Sequence, residues 1–128
     1  MRVGYVDSSC LVAIAFDEAG STETASRLKV YDRLLSANLL EAELRSALRR
    51  EGVDENGRDL LSWITWVLPN RLLTPELERL LSEGYIKGPD LWHLACALFI
   101  SPDPRELAFL TLDHRQGELA ERLGFHSW

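Results

Sequence analysis

The chain has 128 residues, enough for one domain that buries roughly two-thirds of its unfolded surface. At 46% hydrophobic and 27% charged it reads as globular, and its net charge of -6 argues against nonspecific coating of DNA, which rests on excess Lys and Arg. The longest apolar runs, Cys10–Phe16 and Leu94–Ile100, fall far short of the roughly 20 residues of a membrane span, and Asp7 breaks any signal-peptide pattern, so no membrane partner and a cytoplasmic location are expected.

Arg2–Val6 is a short β-like run, and Ser8 or Ser9 can cap a helix running through Phe16. Gly20 and Ser21 introduce a short helix to about Lys29, with Ser21 or Thr22 as N-cap, and Leu34–Leu35 is a second strand candidate. Asn38 is placed to cap a helix in which Leu40, Leu44, Ala47 and Leu48 recur at helical spacing, and Gly52 to stop it. Asp54 then caps a helix with Leu60, Leu61, Ile64 and Val67 on one side, and Trp63 and Trp66, three apart, read as core or subunit interface. Pro69 and Asn70 mark a turn, Arg71–Leu73 a third strand, and Thr74-Pro75 the start of a helix ending at Gly84. Gly88-Pro89 opens the helix Asp90–Ile100. After the loop Ser101–Pro104 come a strand at Leu107–Thr111, a helix at Arg115–Leu123 stopped by Gly124, and a last edge strand at Phe125–Trp128.

This alternation predicts a single α/β domain over residues 1–128, with a central, mainly parallel β-sheet flanked by helices on both faces. In such a sheet ligands gather at the carboxyl ends of the strands. Asp7 and Asp113 each follow a strand candidate, and Asp90 sits in the first turn of its helix, where the dipole favours a carboxylate. Each of these three is also explicable as a helix cap. Mid-helix Glu43 is not, and its alternative is a solvated pair with Arg45, Arg49 or Arg50. Glu41 and Glu43 lie on nearly opposite faces of one helix, so only one can join a common site, and periodicity leaves the choice open. Acids brought together repel one another and raise their own pKa values unless a cation neutralises them. A hard divalent ion with oxygen ligands resolves that conflict.

Four strings follow in order: Val6-Asp7-Ser8-Ser9, Ala42-Glu43-Leu44-Arg45-Ser46-Ala47-Leu48, Asp90-Leu91-Trp92-His93-Leu94-Ala95-Cys96-Ala97 and Leu110-Thr111-Leu112-Asp113. Together they resemble the PIN-domain family of metal-dependent ribonucleases, most closely its VapC-type toxins, over essentially the whole chain. The resemblance implies a PIN-like domain and a catalytic, metal-binding set of four acids: Asp7, Glu43 (which it selects over Glu41), Asp90 and Asp113. It also implies Ser9 and Thr111 as hydroxyls supporting the carboxylates. Ala37 departs from the pattern, standing where a small hydroxyl residue is common, with Ser36 beside it.

The activity implied is endonucleolytic hydrolysis of RNA with Mg²⁺ or Mn²⁺ as cofactor, an ion that activates water and clamps the phosphodiester oxygens. Asp7, Asp90 and Asp113 are expected as the main ligands, with Glu43 holding a metal-bound water or a second ion. Arg45 and Arg49, four apart on one helix, together with Lys87 and Arg115, are candidates for gripping the RNA; each has an ordinary surface charge as its alternative. A cognate antitoxin and a homodimer are the partners the resemblance implies. Its rivals are a catalytically silent PIN-like interaction module and a haloacid-dehalogenase-like phosphatase. The latter needs a second Asp where Ser9 stands. Cys10 and Cys96 read as buried structural thiols, and the spacing of the three histidines does not suggest zinc. His93 reads as a packed or hydrogen-bonded helix residue, and His114 and His126 as solvated.

Overall fold

In the computed structural model, residues 1–53 and 57–128 are described; Asp54, read above as a helix cap, lies outside them. The strands are β1 (Val3–Val6), β2 (Arg33–Ala37), β3 (Ile64–Val67) and β4 (Ala108–Leu110). The helices are α1 (Ser8–Ala15), α2 (Ser21–Leu28), α3 (Leu39–Glu51), α4 (Gly57–Leu61), α5 (Thr74–Glu83), α6 (Gly88–Ile100) and α7 (His114–Leu123). One all-parallel sheet has the order β3-β2-β1-β4, in register Val3 to Arg33, Gly4 to Ala108 and Leu34 to Ile64.

Strand periodicity distributes the core. Tyr5, Leu35, Val67 and Phe109 face a cluster built with Leu80, Leu94 and Leu119 from α5, α6 and α7. Val6, Leu34, Ile64 and Leu110 face the opposite cluster, with Leu11, Leu44, Leu48 and Leu60 from α1, α3 and α4. The chain moves outward from β1 through β2 to β3, then crosses back to place β4 on the other side of β1. Parallel crossovers are right-handed, so reversing direction moves the connecting helices to the other face. That reversal makes the β1/β4 boundary the switch point. At Gly4 a Cβ would lie 2.8 Å from the Leu110 side chain, so the close β1–β4 packing needs a residue without one.

Several expectations are corrected. The helix expected to continue through Val67 ends at Leu61, and Ile64–Val67 is instead the third strand, while Arg71–Leu73 forms none. Leu60, Leu61, Ile64 and Val67 fit a helical face by spacing, but the β-rich Ile-Thr-Trp-Val run gains a full parallel pairing with β2. Trp63 and Trp66 flank that strand's start and middle and are half-buried against the α1/α3 cluster. Asp7, rather than Ser8 or Ser9, caps α1, and Gly20 precedes α2 in the N-cap position with no side-chain cap. Asn38 stands at the start of α3 but donates to Glu41 Oε1 (2.9 Å) instead of capping a backbone N–H. The expected final strand is reduced to one bridge, His126 with Ala108.

Candidate active site

Asp7 is carried one residue past β1, where its N–H still donates to Leu110 O (2.9 Å) and holds the turn against β4. Ser36, fully buried on β2, secures the same turn by donating to Val6 O (2.7 Å). Asp7 is 3% exposed, and its Oδ2 accepts from the Ser9 backbone N–H at 3.2 Å. The Thr111 hydroxyl stands 3.2 Å from the same oxygen but only 2.7 Å from Gln116 Oε1. One hydroxyl proton cannot serve two acceptors, and the shorter contact goes to the amide. Asp7 Oδ1 is buried with no hydrogen-bond partner. The nearby His93 Nε2 is 3.7 Å away, too far for a hydrogen bond. A carboxylate so enclosed and so poorly supplied with donors is costly unless something else neutralises it.

Thr111 and Asp113 stand at the end of β4. The Asp113 N–H donates to Thr111 Oγ1 (3.0 Å), and Asp113 Oδ1 caps α7 by accepting from Gln116 N–H (2.8 Å). The Ser9 hydroxyl accepts from Leu112 N–H (3.0 Å) and lies 3.3 Å from Thr111 Oγ1, so it ties the two strand ends together. Gln116, fully buried, donates from Nε2 to the carbonyl of Asp90 at 3.1 Å. A single amide thereby fixes the start of α6 to the end of β4. Sequence reading missed Gln116. Its signal was the Asp-x-x-Gln pattern of a capping box, although the side chain turns to Thr111 and Asp90 rather than back to its own cap.

Glu43 reaches the group from mid-α3. Its Oε1 is 2.7 Å from Nε2 of fully buried His93, while Glu41 faces away and pairs with Arg45 (2.7 Å) and Asn38. The other imidazole nitrogen, Nδ1, is 2.8 Å from the Tyr5 hydroxyl, which also accepts from the Ala37 N–H at 3.0 Å. Tyr5 was missed as well. A phenol in the middle of a buried strand had to have a polar partner, which is the signal that could have found it.

The electrostatics bring the four acids into one neighbourhood. Burial, followed by the charges of Asp7, Asp113 and Glu43, holds the Asp90 carboxyl above the ordinary aspartate range. Burial also raises the Cys10 thiol, with Asp7 adding to it, and pushes Cys96 up to about 12. Both cysteines are free and buried, and protonated thiols of this kind make poor nucleophiles.

The structure brings Asp7, Glu43, Asp90, Asp113, Ser9 and Thr111 to the carboxyl edge of the sheet. The cations are looser: Arg45, Arg49, Lys87 and Arg115 are all exposed, Arg45 pairing with Glu41 and Arg115 lining a cleft with Tyr85 and Arg122. His114 is exposed and 2.9 Å from Glu118, and His126 is exposed. Among the described residues, no group of three or more His, Cys, Asp or Glu is arranged to hold a metal ion, and no helix is long and apolar enough to cross a membrane. In comparisons with known proteins, the sequence matches no family model and no curated protein.

Proposed function

We propose that this chain is a metal-dependent endoribonuclease of the PIN-domain type, the toxin of a toxin–antitoxin pair acting in the cytoplasm. The observation that carries the reading is Asp7 Oδ1, a buried carboxylate oxygen with no hydrogen-bond partner, beside an Asp90 carboxyl whose pKa is raised by burial and by the charges of Asp7, Asp113 and Glu43. Those oxygens suit a hard divalent cation. Mg²⁺ is usually held by one or two carboxylates and several waters, so a cage of three side chains is not required. Asp7 and Asp90 would hold Mg²⁺ or Mn²⁺, with Asp113 beside them. Bound there, the ion would lower the pKa of a coordinated water and offset charge on the phosphoryl oxygens.

The chain's own residues do the rest. Ser9, Thr111 and Gln116 keep the two strand ends and the start of α6 in fixed relation, so the carboxylates are placed before substrate arrives. Glu43, partly exposed, can take a proton from the attacking water as that water adds to phosphorus, while the P–O bond to the leaving ribose oxygen breaks and that oxygen takes a proton from solvent. Arg49, Lys87 and Arg115 supply exposed positive charge for flanking phosphates. Leu68 and Leu72, both exposed after β3, offer apolar surface for the proposed homodimer, which sedimentation equilibrium would test.

One rival is a silent interaction module on the same fold. Incubating a mixed RNA panel with Mg²⁺ or Mn²⁺ separates the two. Cleavage by wild type but not by Asp7→Asn supports the enzyme. No cleavage with any divalent ion, together with no ion binding, leaves the module.

A further inference from the structure

We infer that His93 is a positioning residue for Glu43, and that Tyr5 sets the tautomer in which it works. The assignment follows from counting protons along a buried chain. The Ala37 N–H, on a residue 1% exposed, donates to the Tyr5 oxygen, so the phenol accepts there and its single proton is left to give. The atom in reach is His93 Nδ1 at 2.8 Å. With Nδ1 accepting, the ring carries its proton on Nε2, and that N–H points at Glu43 Oε1, 2.7 Å away. Burial holds the phenol proton in place, keeping the Tyr5 pKa well above the ordinary tyrosine value. Edge-on contact of the two rings, with centroids 5.8 Å apart, and stacking of Tyr5 on Phe109 restrict how either ring can turn.

The consequence is a neutral donor set among four acids. It anchors one oxygen of Glu43 without cancelling the negative charge that attracts a cation. A nitrogen that bears its proton is also unable to ligate a metal, so His93 holds a carboxylate rather than the ion. The functional part of this inference rests on the proposed metal-dependent site, whereas the tautomer does not.

The first test therefore needs neither ion nor RNA. Long-range ¹H–¹⁵N correlation on ¹⁵N-labelled, metal-free protein at pH 7.5 should show His93 with a bare Nδ1 and a protonated Nε2. Tyr5→Phe should lose that pattern. A proton on Nδ1 in the wild type would overturn the assignment. The second test titrates Mn²⁺ alone, followed by electron paramagnetic resonance. His93→Ala should bind it about tenfold more weakly, and His93→Gln, whose amide N–H can still reach Glu43, should recover most of the loss. Equal affinity in wild type and His93→Ala, or no recovery in a folded His93→Gln, refutes the positioning role. Wild-type protein that binds no Mn²⁺ and cleaves no RNA defeats the proposed function instead, and the ¹⁵N spectrum still decides the tautomer.

Discussion

Replacing Asp90 by Asn should make the metal-free protein more stable, the reverse of what removing a helix-start carboxylate usually does. Asp90 lies in the first turn of α6, where the helix dipole favours negative charge by about 0.5 kcal/mol. Against that stand burial and the charges of Asp7, Asp113 and Glu43, which together raise its pKa. Water reaching the half-buried carboxyl screens those repulsions to about 0.5 kcal/mol for each neighbouring charge, so the three together cost about 1.5 kcal/mol rather than the several that a dry interior would impose. The difference leaves Asn ahead by about 1 kcal/mol, or about 4 °C in Tm for a chain of this size. The pH dependence has a definite sign. A raised folded-state pKa means that the native protein binds the proton more tightly than the unfolded chain does, so stability falls as pH rises through the window between about 4, the unfolded value, and the raised folded value. Above that window the penalty is complete; below it the penalty is gone. Circular-dichroism melts in EDTA should show the Asp90→Asn advantage at pH 7.5 and its disappearance below about pH 4. A lower Tm for Asp90→Asn at pH 7.5, or an advantage that does not change with pH, would refute the claim that the four acids act on one another.

Gln116→Leu should cost about 2 kcal/mol in urea unfolding, because the Asp90 carbonyl and the Thr111 hydroxyl both lose the fully buried amide as a partner; a loss near zero would mean that the amide does not join α6 to β4. Glu43→Gln should abolish RNA cleavage while Glu41→Gln leaves it unchanged, since only Glu43 reaches the acid group; equal activities would put Glu43 outside the chemistry. Reversing Arg49 to Glu should weaken RNA binding and reduce the slope of log K against log salt by about 1. Reversing Arg45 should do less, because Glu41 already engages it, and unchanged binding and slope for both would leave these arginines as plain surface.

Short-range signals account for most of what could be read in advance. The apolar alternation around Tyr5, Leu34 and Phe109, the helical spacing of Leu40, Leu44 and Leu48, and the stops at Gly52 and Gly124 are local, and the described chain obeys them. The failure at Ile64–Val67 has a physical cause. Four residues that fit a helical face equally fit a strand, and only the available edge of β2 decides between them.

The acids divide in the same way. Their order along the chain, and the placement of Asp7 and Asp113 after strands, belong to the sequence, because strand-end positions follow from local pattern alone. The convergence of Glu43 and Asp90 on those two depends on the β1/β4 switch point and on where α3 and α6 pack, which no local rule specifies. The side chains that complete the group are further still from a local reading. Tyr5 meets His93 across 88 positions and the Leu112 N–H meets the Ser9 hydroxyl across 103, and hydrogen bonds of that span exist only once the sheet has brought the strand ends together.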